Sequence, residues 1–109
     1  MVPSTAKSLL PESRRRLVEL MQDINFGRIE NLLIRNGQPT LDSRPRVVRE
    51  IKLGGENGPR PELGAQDFLL KSQVLEMLAY FDELQNGTID VLEIKHGLPF
   101  RVIVAEVPA

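Results

Sequence analysis

The chain has 109 residues, 41% hydrophobic and 27% charged, with no cysteine and a formal net charge of −1. That length and composition fit one modest core and argue against wholesale disorder. The missing cysteines exclude a disulfide framework, a thiolate metal site and a cysteine nucleophile, and fit a reducing compartment such as the cytoplasm.

No apolar run approaches the roughly 18 residues of a membrane span, so no membrane partner is expected. The opening MVPSTAKSLLPESRRR carries its charges after a short apolar patch, the reverse of a secretory signal. A first helix is predicted from Ser8 as N-cap, with Pro11 in its first turn, where backbone N–H groups lack intrahelical partners. Leu10, Leu17, Met21 and Ile24 recur at helical spacing, and Val18 and Leu20 widen the stripe. Arg14, Arg15 and Arg16 fall early in this helix, where positive charge opposes the macrodipole at a cost of roughly a few tenths of a kcal/mol. Such charge is a candidate contact for a partner.

A strand follows from Gly27, then the Asn36-Gly37 pair, which suits the positive φ angles of a two-residue type I′ hairpin. The returning strand carries Pro39, which cannot donate to a central ladder and so belongs at an edge. Arg44, Arg46, Arg49 and Lys52 stud this strand and its continuation, where a row of cations could track phosphates, although Asp42 and Glu50 interrupt it. Residues 54–64, rich in glycine and proline, read as a surface connection. They contain no phosphate-loop motif.

The second helix is predicted over residues 67–84. Leu70, Val74, Met77, Leu78, Phe81 and Leu84 form its stripe, and Phe68, Leu69, Leu75 and Tyr80 leave little of it polar, so it should be the better buried helix. A strand from Gly87, a turn at His96-Gly97 and a last strand close the chain. Histidine is enriched at positive φ, so the only histidine is accounted for by the turn. Residues 101–107 are apolar on both faces. Val102, Ile103, Val104 and Val107 therefore need cover beyond one layer of helices, and a symmetric partner chain is the simplest source.

The chain also repeats itself. GRIENLLIRNGQPT (residues 27–40) returns sixty residues later as GTIDVLEIKHGLPF (87–100), with Gly, Ile, Leu, Ile, Gly and Pro identical. The match extends upstream: Leu17 aligns with Met77, Met21 with Phe81 and Ile24 with Leu84. Such self-similarity speaks for architecture. The expectation is an α+β fold of two tandem α-β-β repeats forming a four-stranded antiparallel sheet, order 2-1-3-4, with two helices on one face. The chain is read as a single domain (1–109), with repeat one at 8–53, the linker at 54–64 and repeat two at 67–107. The apolar positions 29, 32, 34 and 89, 92, 94 break period two. A one-residue bulge near Glu30-Asn31 and Asp90-Val91 would restore one inward face.

Asp23-Ile24-Asn25-Phe26-Gly27-Arg28-Ile29, followed by a strand, Asn36-Gly37 and a basic second strand ending Val48-Arg49-Glu50-Ile51, resembles the small bacterial YezD-like domains. These are single helix–hairpin units that start on an aromatic-Gly pair and turn on an Asp-Gly-type pair. The resemblance covers residues 15–51 and, more weakly, 75–106. It implies an architecture and transfers no activity, cofactor or site.

The catalytic inventory is thin. No GxSxG elbow accompanies His96. Glu30 and Asp90 are equivalent and should approach the pseudo-dyad, where facing carboxylates can bind a cation or share a proton. Charge divides unevenly, with residues 1–60 at net +4 and residues 61–109 at net −5. The expected function is a non-enzymatic interaction or structural module that self-associates as a dimer or binds a protein partner, with no cofactor and no metal. The alternative is a nucleic-acid-binding protein using the basic first repeat.

Overall fold

The computed structural model describes residues 10–54 and 71–106. Ser8, residues 55–70 (with most of the linker and the start expected for the second helix) and Val107 lie outside them. The elements run α1 (Glu12–Ile24), β1 (Gly27–Arg35), β2 (Gln38–Thr40), a 3₁₀ turn (Leu41–Ser43), β3 (Arg46–Arg49), α2 (Ser72–Leu84), β4 (Gly87–Lys95) and β5 (Leu98–Ile103). No described helix is long and apolar enough to cross a membrane.

Both helices start later than the sequence suggests. Pro11 is the N-cap residue of α1 rather than part of its first turn, because its backbone is extended (φ −53°, ψ 153°). Its carbonyl accepts the Arg15 N–H at 2.9 Å. Lys71 is likewise extended (φ −73°, ψ 157°) and caps α2, so no single helix runs through from residue 67.

The sheet is antiparallel, ordered β2-β1-β4-β5, with β3 also on β1. It has five strands instead of the expected four because the returning strand of the first copy is broken. Leu33 of β1 pairs with Thr40, whereas Glu30, only three residues back, pairs with Arg46. The skipped residues form the 3₁₀ turn, which Ser43 Oγ closes on the Thr40 carbonyl at 2.7 Å. Arg44 ends the turn in the left-handed region (φ 57°), and Pro45 has no N–H to offer a ladder. In the second copy the same place costs one residue, Phe100, skipped between Glu93–Arg101 and Ile94–Pro99. Pro39 and Pro99 both lie on edge strands, paired with Ile34 and Ile94.

The break in period two is accommodated on both central strands at once. Pairing of β1 with β4 skips Asn31 and Asp90 and keeps one register on either side. Asn31 takes φ 59° there, a conformation asparagine tolerates better than most residues. Ile29, Leu32, Ile34, Ile89, Leu92 and Ile94 consequently share one buried face. Leu17, Val18, Met21 and Ile24 of α1 and Val74, Met77, Leu78 and Phe81 of α2 close the core over it.

The expectation that α2 is the better buried helix is not met among the described residues. α1 buries five residues and α2 four. Leu75, Tyr80 and Leu84 stay half-buried, and Tyr80 faces an open groove described below.

Candidate functional site: the open edge beside the second helix

The two copies are tied to each other at both ends of the β1–β4 seam. Each helix stops in a γ-turn: Asn25 (φ 65°, ψ −58°) after α1 and Gln85 (φ 60°, ψ −62°) after α2. The turns are closed by Phe26 N–H on the Ile24 carbonyl (2.7 Å) and Asn86 N–H on the Leu84 carbonyl (2.6 Å). This conformation is rare and strained. The carbonyl of each central residue then accepts the hairpin glycine of the other copy: Gly97 N–H reaches Asn25 O at 2.9 Å, and Gly37 N–H reaches Gln85 O at 2.8 Å.

Asn36 and Gly37 sit at φ 51° and 75°, and His96 and Gly97 at 55° and 72°, the positive-φ pairs that type I′ turns require. The His96 ring meets Phe26 edge-on, with centroids 4.8 Å apart. At the equivalent place, Asn36 N–H donates to Asn86 Oδ1 at 3.1 Å.

The arginines singled out for partner contact are mostly committed to carboxylates. Arg14 is no surface group. Its side chain is 12% exposed and its Nη2 donates to the Gly37 carbonyl (2.9 Å) and to Asp82 (2.5 Å), so it clamps α1 to the far turn and to α2. Arg15 pairs with Glu19 one turn on, at 3.2 Å, and Arg16 with Asp42 at 3.7 Å. Arg49 holds both the side chain (2.5 Å) and the carbonyl (2.9 Å) of Asp23 at the end of α1. Arg46 approaches Glu30 at 3.6 Å. Arg44 is exposed in the left-handed cap of the 3₁₀ turn, and Lys52 is exposed after β3.

Glu30 and Asp90 lie beside the pseudo-dyad, Glu30 pairing across the seam with Val91, the neighbour of Asp90. Each has structural partners. Arg28 Nε donates to Glu30 at 2.6 Å. That bond holds the Glu30 carboxyl below the usual carboxylate range, opposed by partial desolvation and helped by the charges of Arg28 and Arg46. Asp90 accepts the Ala105 N–H at 2.6 Å. Among the described residues no cluster of three metal-ligating side chains exists.

An uncommitted surface lies at the β5 edge. β5 pairs with β4 alone among the described strands, leaving its outer row of backbone groups open. Between it and α2 runs a groove of about 540 Å³, with Met77, Tyr80, Pro99, Phe100, Val102 and Val104 among its lining residues and Glu76 and Glu106 beside them. Val102 and Val104 pack half-buried toward the core, and Ile103 stays 42% exposed.

At the equivalent place in the first copy, the 3₁₀ turn carries Leu41 against the core, with Arg16 on Asp42 above it. Ser13 Oγ also donates to Gln38 Oε1 there, at 2.9 Å. Among the described residues one copy supplies its own filling, and the other leaves the place open. Sequence reasoning found the valines but missed Met77, Tyr80 and Phe100, whose helical and bulge positions read as ordinary core and strand. Comparisons with protein-family models, with curated proteins and with solved structures found no match.

Proposed function

We propose that the protein is a non-enzymatic, cytoplasmic interaction module that self-associates through the β5 edge and the groove beside α2. The observation that carries this reading is the unequal treatment of the two sheet edges. Open strand edges invite pairing with another chain, and natural sheets normally blunt them with breaks, charge or cover. The first-copy edge is broken by a 3₁₀ turn and filled by Leu41. β5 runs six residues with a groove alongside that Met77, Tyr80, Phe100 and Val102 line together with Glu76, Arg101 and Glu106.

The polar groups that an enzyme would draw on have structural roles: His96 in a turn against Phe26, Glu30 beside two arginines, Asp90 on a backbone N–H. The nucleic-acid alternative has weaker support, since Arg14, Arg15, Arg16, Arg46 and Arg49 each have a carboxylate partner.

Sedimentation of the wild type over a wide concentration range tests the reading. Mass should rise with concentration, and a strict monomer at the highest concentration refutes self-association. Retardation of DNA or RNA at low salt would favour the alternative.

A further inference from the structure

We propose that the occupant of the α2–β5 groove is residues 46–53 of a second copy, so that the chains join head to tail; this rests on the self-association reading above. The groove and this segment are complementary in chemistry. Glu76 and Glu106 flank the groove, Met77, Tyr80, Phe100 and Val102 lie between them, and Arg101, the one cation of the described lining, is held by Glu93 at 3.4 Å. Residues 44–53 carry Arg44, Arg46, Arg49 and Lys52 against a single carboxylate, Glu50; Arg46 and Arg49 are already paired with Glu30 and Asp23 of their own chain, so the charge match rests on Arg44, just ahead of the segment. Their apolar side chains stand out from the sheet: Val47 is exposed at the edge, Ile51 is 65% exposed and Leu53 93%.

Val47 and Ile51 lie an even number of residues apart, as Arg49 does between them, the spacing with which an extended segment presents one face, and Leu53 begins the turn that follows. The geometry also permits continuation of the sheet. β3 is antiparallel to β1, β1 to β4 and β4 to β5. A translated copy therefore brings its β3 alongside β5 in the antiparallel sense, with its helices on the same face of the sheet. Such a contact adds a strand by backbone pairing and takes its specificity from side chains seated beside it.

The first copy cannot act as the acceptor, because Leu41 fills its corresponding place. Each chain thus has one donor and one acceptor, and a heterologous contact of this kind leaves a free donor and a free acceptor at its ends. Assembly then continues past the dimer unless the rotation closes a ring. Opposite charges at the rim make it weaken as salt rises.

Two variants separate the partners' roles. Ile51→Ser with Leu53→Ser disables the donor, and Glu76→Lys with Glu106→Lys disables the acceptor. All four positions are exposed, so both proteins should melt like wild type. Wild type should grow beyond dimer with concentration. Each variant alone should lose association by roughly tenfold or more, and an equimolar mixture should give a one-to-one dimer and nothing larger.

A donor variant that still associates as wild type overturns the proposal, as does an acceptor variant that does so, or a mixture that stays monomeric. A wild type that stops at a symmetric dimer overturns the head-to-tail contact and leaves self-association standing. A wild type that never associates overturns both.

Discussion

Gly27 and Gly87 open the central strands of the two copies, yet alanine should be ruinous at one and tolerated at the other. A Cβ on Gly27 would lie 2.1 Å from the Val48 carbonyl oxygen, and 3.1 Å from both Arg49 Cα and Ile24 Cγ2, with the backbone at φ 151°. The closest atom belongs to paired backbone and has no rotamer to escape through. Accepting the methyl means separating β1 from β3 where Gly27 pairs with Arg49, beside the 2.9 Å bond from Glu50 N–H to the Phe26 carbonyl. Backbone strain of about 1–3 kcal/mol and one lost hydrogen bond of about 1 kcal/mol together give roughly 2–4 kcal/mol. For a domain of this size that is a fall in Tm of about 10 °C or more.

At Gly87 the nearest atoms are Leu84 side-chain carbons at 3.1 to 3.4 Å, which rotate away, and β5 pairs no further along β4 than Val91. Reduced freedom of the unfolded chain contributes about 0.4–1 kcal/mol in favour of alanine there, leaving a net change within about 1 kcal/mol. Thermal and urea melts of Gly27→Ala and Gly87→Ala, followed by circular dichroism, decide the matter. Equal losses, or a harmless Gly27→Ala, refute the close approach of β3 to β1.

Arg14→Ala should cost about 1–2 kcal/mol, since it strips a part-buried charged donor from Gly37 and Asp82, whereas Arg16→Ala should cost less than about 1 kcal/mol; indistinguishable melts would refute the clamp. Gln22 is 5% exposed and its Oε1 has no partner among the described residues, so Gln22→Met should stabilise by about 1 kcal/mol in a urea melt, and a loss would show that the amide is satisfied. Arg28→Ala should move the Glu30 titration back up, as read by carboxyl carbon NMR. Because the folded Glu30 carboxyl is depressed, its contribution to stability is present above its unfolded titration and lost as pH falls through the folded one, so the variant should lose the acid edge of that contribution. An unmoved Glu30 signal would sink the assignment.

What the sequence made legible was local chemistry with one dominant cause. Asn36-Gly37 and His96-Gly97 announce turns because few residue pairs accept positive φ twice in succession. Ile29, Leu32 and Ile34, matched by Ile89, Leu92 and Ile94, announce a buried face with a fault in its period. The broken strand was less visible. Leu41-Asp42-Ser43 has ordinary residues, and only Pro45 warned that the ladder would lapse.

The γ-turns at Asn25 and Gln85 had no signature, because what holds them is a hydrogen bond from a glycine in the other copy. Arg14 misled for the same reason. Three consecutive arginines read as a surface charge run, and nothing local says that the first is turned inward onto Asp82, which lies 68 residues away.

The pattern of identity between the copies follows from that interlock. The exchanged bonds from Gly37 and Gly97 hold two strained helix ends, and strain of this kind, about 1–3 kcal/mol at each, persists only where surroundings over-determine it. Both ends of the seam must meet the same geometric demand, so Ile29, Leu32, Ile34 and Gly37 recur as Ile89, Leu92, Ile94 and Gly97. Beyond Pro39 and Pro99, which suit an edge because proline has no N–H to offer a ladder, no such demand reaches the outer strands. There the copies part: Thr40-Leu41-Asp42 folds inward over its own core, while Phe100-Arg101-Val102 runs on as an open strand beside Tyr80. Repetition therefore follows the shared seam, and the repeat fails at the edge through which self-association is proposed.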